Sequence, residues 1–156
     1  MIVRKLKKVS EMVNGEGLNP KYENILIEGV STDSRQIKEK QLFIPLIGEN
    51  FNGHKFLEDA IKKGACATLW AKDEPVPDLD FPFILVDDTL IALQQLAKEY
   101  RKSLAIKIIG ITGSNGKTST KDILDGLLAT QYKTQKTLGN FNNHIGVPLT
   151  VLNLEE

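Results

Sequence analysis

The residues with the clearest chemical meaning are Gly110-Ile111-Thr112-Gly113-Ser114-Asn115-Gly116-Lys117-Thr118-Ser119. They leave an apolar run, 106–111, that reads as a buried strand, and they enter a helix predicted over 117–129. Strand, glycine-rich loop, then helix is the setting of a phosphate-binding loop. Glycines let the chain bend so that successive N–H groups face one anion, and the helix N-terminus adds unpaired donors and partial positive charge. Lys117 can reach the β- and γ-phosphates of a nucleotide, and the Thr118 hydroxyl can ligate Mg²⁺. The strict form G-x-x-x-x-G-K-[ST] asks for a glycine where Ile111 stands, and this chain has Gly110 and Gly113 beside that position instead. Asn115-Gly116 is also a hairpin-turn pair, but the segment after it has helical rather than alternating spacing. A dinucleotide fingerprint fails at Ile111 too. No acidic residue in Lys133-Thr134-Gln135-Lys136 is available to hold a ribose.

A second group is Leu138-Gly139-Asn140-Phe141-Asn142-Asn143-His144-Ile145-Gly146-Val147-Pro148, which comes after a strand predicted at 132–135. In an open parallel sheet the carboxyl ends of neighbouring strands share one crevice, which brings these asparagines beside the phosphate loop. Their amides can bind anionic oxygens without adding charge. Spacing serves equally a polar loop that caps a helix begun by Pro148. A third group, Ser31-Thr32-Asp33-Ser34-Arg35, offers several donors in a short span. Composition favours a turn closed by Asp33 over a phosphate or uracil site. His54 and His144 have no cysteine or carboxylate at ligand spacing, which argues against zinc. Cys66 reads as a small buried residue of a strand.

Positioning these groups requires two kinds of scaffold. Leu6, Val9, Met12 and Val13 share a helical face that Asn14-Gly15 ends. Short strands are predicted at 25–27, 42–47, 65–71 and 83–86. Pro45 lacks a donor, so the second of these belongs at an edge or a bulge. Gly48-Glu49-Asn50-Phe51-Asn52-Gly53-His54 is loop chemistry. It leads into a helix with Phe56, Leu57, Ala60 and Ile61 inward and Gly64 as its stop. Residues 73–80 form an acidic, proline-bearing surface loop. Leu90, Leu93, Leu96, Ala97 and Tyr100 recur at helical spacing, in a helix expected to bridge two units. The later strand–helix–strand segment is a βαβ unit, so the chain is α/β. Residues 1–86 are expected to form a small α/β domain, and 87–156 the beginning of a parallel-sheet domain of phosphate-loop type. About 50 residues after position 106 are too few to cover both faces of such a sheet, so a longer protein is expected.

Composition narrows the class. Apolar residues are 41% and charged residues 26% of the 156, close to globular averages, which excludes wholesale disorder. Lys+Arg and Asp+Glu are 20 each, so a broad basic face for nucleic acid is not expected. No apolar run is long enough to span a bilayer, and Met1–Lys8 lacks the apolar core of a signal peptide. A single cysteine fits a reducing, cytoplasmic setting.

Thr112-Gly113-Ser114-Asn115-Gly116-Lys117-Thr118 resembles the ATP loop of the Mur ligases, the enzymes that build the peptidoglycan stem peptide; that family's loop also lacks the first glycine. Val30–Arg35 and Leu42–Phe56 resemble its UDP-binding N-terminal domain. Gly139–Thr150 is most similar to the branch that adds D-alanyl-D-alanine. The resemblance implies that ATP phosphorylates the terminal carboxylate of UDP-MurNAc-tripeptide, and that the D-alanyl-D-alanine amine attacks the acyl phosphate. It implies that Lys117 and Thr118 are catalytic, with Mg²⁺ on Thr118. Gly113, Ser114, Asn115, Gly116 and Ser119 then complete the ATP site. Ser31, Thr32, Ser34, Arg35, Gly48, Asn52, His54 and Phe56 then hold the UDP end, while Asn140, Asn142 and Asn143 position the nucleotide-sugar near the γ-phosphate. A cytoplasmic monomer is implied by the same likeness. Family members are longer and have three domains, so the second magnesium ligand, the adenine contacts and the modified lysine are expected beyond residue 156, and this chain by itself is expected to be inactive. Alternatives are the diamino-acid-adding branch and a non-catalytic nucleotide-binding module.

Overall fold

The computed structural model describes residues 1–137 and 143–155. An N-terminal strand β1 (Val3–Lys5) runs into helix α1 (Leu6–Met12) and pairs antiparallel with β2 (Leu26–Glu28). The main sheet comes next: β3 (Val30–Ser31), β4 (Leu42–Phe43), β5 (Ala67–Ala71) and β6 (Phe83–Val86) lie side by side in that order, all parallel. Helix α2 (Leu57–Lys62) connects β4 to β5, and α3 (Thr89–Ser103) comes after β6. Helices α4 (Lys117–Leu128) and α5 (Gly146–Leu152) complete the described elements.

A parallel sheet covered on both faces buries both sets of alternating side chains, and this sheet does so. Leu42, Leu69, Ile84 and Val86 point to a core shared with Leu6, Val9, Ile27, Leu93 and Tyr100. Phe43, Trp70 and Phe83 point the other way, onto Ile37, Leu57 and Ala60. All five residues of β5 are buried. Helix α3 starts where the Asp88 carboxylate accepts the Ile91 amide at 2.8 Å, satisfying an otherwise orphan donor. It turns Ala92, Leu93, Leu96, Ala97 and Tyr100 inward. Helix α5 joins the same core through Leu152, whose carbonyl accepts the Ile2 amide at 2.7 Å; the Tyr100 hydroxyl donates to the Leu154 carbonyl at 2.8 Å.

Three expectations need correction. β4 is an internal strand, not an edge, and is only two residues long. The Ile44 amide donates to the Ser31 carbonyl at 2.9 Å, and Pro45, whose nitrogen falls on the β5 side, has no N–H to give there. Phe56 is exposed rather than inward. Segments 106–111 and 132–135 form no strands, so the parallel sheet lies wholly in the first part of the chain. A parallel strand needs a neighbour for its amides, and among the described residues neither segment has one. Ile108 and Ile109 are more than half exposed, and α4 buries none of its residues.

This division has a measurable consequence. Leu93 is fully buried, whereas Leu127 on α4 is 66% exposed. In urea unfolding, Leu93→Ala is expected to cost about 2–5 kcal/mol, and Leu127→Ala about 0.5 kcal/mol or less. Amides of β5 should exchange far more slowly than those of α4; equal protection in the two would contradict the packing.

Candidate functional site

Parallel strands deliver their succeeding loops to a common edge. Ser31-Thr32-Asp33-Ser34-Arg35 leaves β3 and Ile44–His54 leaves β4, so two of the motifs singled out in the sequence meet at the carboxyl ends of adjacent strands. The Ile44–Ser31 hydrogen bond joins them directly. The loop after β5, with Asp73 and Glu74, lies next in line.

The Ser31–Arg35 segment is a tight turn. The Ser31 hydroxyl donates to the Asp33 carbonyl at 3.0 Å and accepts from the Asp33 amide at 3.2 Å. The Asp33 carboxylate accepts from the Arg35 amide and, in a two-pronged pair, from the Arg35 guanidinium at 3.0 and 2.9 Å. The guanidinium holds the Asp33 carboxyl below the usual carboxylate range. The turn closed by Asp33 is thus present, with Arg35 exposed at its tip, Ser34 buried and Thr32 half-buried. Lys63, at the end of α2, carries no motif that would single it out, yet its ammonium donates to the Arg35 carbonyl at 3.2 Å.

The second loop is a narrow reversal. Ile47 bridges Asn52, and the Gly48 amide donates to the Phe51 carbonyl at 2.9 Å. Gly53 then passes so close to the preceding strand end that an added Cβ would lie 2.7 Å from the Leu46 carbonyl oxygen, a contact only glycine avoids. Ile47, Glu49, Asn50 and Phe51 remain exposed at the tip, with Phe56 outside the next turn. His54 lies inside, edge-on to Trp70 with ring centres 4.6 Å apart. The Ala71 amide donates to Nε2 at 3.3 Å, so the proton of the neutral ring sits on Nδ1 and is donated to Asn52 Oδ1 at 2.8 Å. Burial lowers the imidazole pKa against the pull of Glu74 and Asp73. A depression of about 330 Å³ beside this loop is lined by His54, Lys55, Leu57, Glu58, Asp59, Pro77 and Leu79. Its two carboxylates suit an anion poorly.

The phosphate loop is not a hairpin. Gly116 sits at φ 76°, in the left-handed region, and opens a helix of 12 residues. An added Cβ at Gly116 would meet open space, so the backbone angle and not crowding selects glycine there. The Lys117 ammonium folds back to the Gly113 carbonyl. The Gly116 carbonyl accepts the Thr120 amide at 2.9 Å and its hydroxyl at 2.8 Å. Thr112–Gly116, Thr118 and Ser119 are exposed. Asn140 and Asn142 lie outside the described residues. Asn143 Oδ1 accepts the Ile145 and Gly146 amides at 3.2 and 2.7 Å, so it caps α5. Cys66 is half-buried and its thiol is pushed up to about 11 by burial, which leaves it unreactive near neutrality. Among the described residues no cluster of metal-ligating side chains occurs, and no helix is long and apolar enough to cross a membrane.

Comparison with known proteins identifies the family. The profile for the "Mur ligase family, catalytic domain" matches residues 26–101, and that for the "Mur ligase middle domain" matches 111–156. A Bacillus subtilis UDP-N-acetylmuramoyl-tripeptide–D-alanyl-D-alanine ligase is 55% identical over all 156 residues, which are 34% of its own length. The crystal structure of MurF from Acinetobacter baumannii superposes with a TM-score of 0.90 at 31% identity, covering 99% of this chain and 34% of that one. A Thermotoga maritima MurF structure in complex with ADP gives 0.73 at 32% identity over 83% of this chain and 30% of that one. The chain thus spans about a third of the length of the relatives it matches.

The buried imidazole makes the loop acid-sensitive. Its pKa in the fold lies below the ordinary 6.5, so the unfolded chain binds the proton more readily. Stability is therefore complete above about pH 6.5 and declines as pH falls through and below it. A protonated Nε2 would also face the Ala71 amide donor to donor. Thermal midpoints measured from pH 7.5 to 5 should fall, and the fall should be shallower in His54→Gln.

Proposed function

This chain belongs to the Mur ligase family, and we propose that it forms the nucleotide-handling part of an ATP-dependent ligase joining D-alanyl-D-alanine to UDP-MurNAc-tripeptide through an acyl phosphate. The observation that carries the proposal is the convergence of the β3 and β4 loops at one sheet edge, with Arg35 exposed there and a glycine-built loop beside it. In this reading Ser31, Thr32, Ser34, Arg35, Gly48 and Phe56 form the surface that takes the UDP end of the substrate. A diphosphate there would compete with Asp33 for the Arg35 fork, exchanging one bidentate pair for another. Binding energy gained at the uridine end orients a carboxylate far from it, which is how distant contacts lower a chemical barrier.

The other half of the proposal concerns ATP. Gly113, Ser114, Asn115, Gly116 and Ser119 present a bent backbone at the start of α4, and the helix N-terminus favours the phosphate charge. Lys117 would exchange the Gly113 carbonyl for phosphate oxygens, stabilising charge as the γ-phosphoryl group moves. The exposed Thr118 hydroxyl is a hard oxygen donor one residue further on, which suits Mg²⁺. That ion, when bound, neutralises phosphate charge. Asn140, Asn142 and Asn143 are proposed to line the sugar-peptide side. For Asn143 this role falls to its Nδ2, since Oδ1 caps α5. The proposed division is a UDP-sugar-binding domain at 1–86 and the beginning of the ATP-binding domain at 87–156, with α3 packed on the former. A cytoplasmic, monomeric enzyme completes the reading.

Calorimetric titration with UDP, UDP-MurNAc-tripeptide and Mg-ATP is the test. UDP should bind this chain, and Arg35→Ala should weaken it about ten- to a hundredfold, the worth of hydrogen bonds to a charged group. Lys117→Ala should leave UDP binding unchanged. The 156-residue chain should give no D-alanyl-D-alanine-dependent product from ATP. Heat from Mg-ATP with none from either uridine ligand would argue for a different substrate.

A further inference from the structure

Asn52 and His54 stand in the loop that the proposed function assigns to UDP, yet their polar atoms are already engaged by the protein. Asn52 Oδ1 accepts both the His54 amide at 2.9 Å and the His54 ring at 2.8 Å. Asn52 Nδ2 donates to Glu74 Oε1 at 2.7 Å. The amide cannot be turned the other way, because its oxygen would then face the Glu74 carboxylate and its NH₂ the His54 donors. Glu74 is itself anchored: its carbonyl accepts the Trp70 indole N–H at 3.2 Å, its amide donates to the Ala71 carbonyl at 3.1 Å, and Trp70 packs on His54. The chain of contacts runs from β5, through Glu74, to the base of the Gly48–Gly53 reversal. Its opposite side, Glu49 to Phe51, faces solvent.

We propose that Glu74 is a positioning residue for the nucleotide loop: by fixing Asn52 it holds Gly48–Gly53 in one shape, so that Asn52 and His54 brace the loop from behind and the ligand meets its outer side. Nothing in the spacing of 73–80 distinguishes Glu74 from its acidic neighbours; its place one turn beyond β5 does. Fixing the loop before the ligand arrives removes an ordering cost from binding, so the brace acts on affinity without touching the ligand. The inference rests on the UDP reading for its effect on affinity, while its effect on the loop is independent of any ligand.

The interaction needs an acceptor at position 74 and a donor at 52, which allows a reciprocal exchange. Glu74→Gln keeps an acceptor and should bind UDP within about twofold of the unmodified chain. Glu74→Ala and Asn52→Asp should each weaken UDP about five- to tenfold, the former by leaving the Asn52 NH₂ unpaired and the latter by setting two carboxylates together. The double variant Asn52→Asp with Glu74→Gln restores a donor–acceptor pair in reverse and should recover most of the loss. Exchange of the His54 amide, whose acceptor is the Asn52 side chain, should rise in the two weakened variants and return in the double one. Thermal midpoints recorded alongside separate this from a general loss of stability: a purely structural role would lower the midpoint and leave UDP affinity, measured well below it, unmoved. Absence of UDP binding by the unmodified chain defeats the functional reading, and the amide exchange then still decides the brace. Unchanged His54 exchange in Glu74→Ala, or no recovery in the double variant, overturns the proposal.

Discussion

The arrangement depends on one constraint, the common direction of the four strands β3 to β6. Parallel strands cannot be joined by tight hairpins, so each must return through a longer connection on a face of the sheet. The chain after each strand is thereby released at the same edge. Ser31–Arg35, the Gly48–Gly53 reversal and Glu74 are far apart in sequence but come after β3, β4 and β5 in turn. Pro45 sharpens the effect. With no N–H on the side that faces β5, it stops the pairing of β4 with β5 after Phe43 and frees the residues beyond it to turn outward.

Much of this is legible in the residues because it is local. The α1 stop at Asn14-Gly15, the α2 stop at Gly64 and strand β6 arise from turn chemistry and apolar patterning, which depend on near neighbours. So does Gly116, whose left-handed angle opens α4 as the loop motif requires. Tertiary context governs the rest. Phe56 has the spacing of an inward residue, but the chain makes a short 3₁₀ turn from Gly53 to Phe56 before α2, and that turn rotates it out. Segments 106–111 and 132–135 have the composition of strands, but a strand is a relation between two segments, and composition states only half of it.

The same distinction separates the two candidate sites. At the end proposed for UDP the loops hang from a buried sheet, and their shape is fixed by contacts with it. At the phosphate end the loop's form comes from its own backbone, with Gly113 and Gly116 bending it and α4 supplying the aligned dipoles. Such a loop needs no sheet behind it to bend this way, and among the described residues the helix it opens is tied through Asp122 and Asp125 to Lys136 and Thr134 and not to the sheet. Phosphoryl transfer relies on alignment more than on any single charged group, so a well-formed loop is necessary for the reaction and not sufficient.

Under the proposed function, a chain with no net charge handles two highly charged ligands by applying charge locally. Arg35 is held in waiting by Asp33, and Lys117 by a backbone carbonyl, so neither cation needs a broad basic surface around it. The remaining recognition falls to neutral groups, namely hydroxyls, loop amides and asparagines, which must be placed accurately because they carry no long-range field. Accurate placement is what buried polar networks supply when every member is satisfied. His54 shows the cost of that choice. Its ring fixes the loop only while neutral, since the arrangement that gives Nε2 a donor from Ala71 leaves no acceptor for a second proton. Rigidity at the site is thus obtained with a side chain whose ordinary pKa of 6.5 lies near physiological pH, and burial, by lowering it, is what keeps His54 in the neutral form that the loop requires.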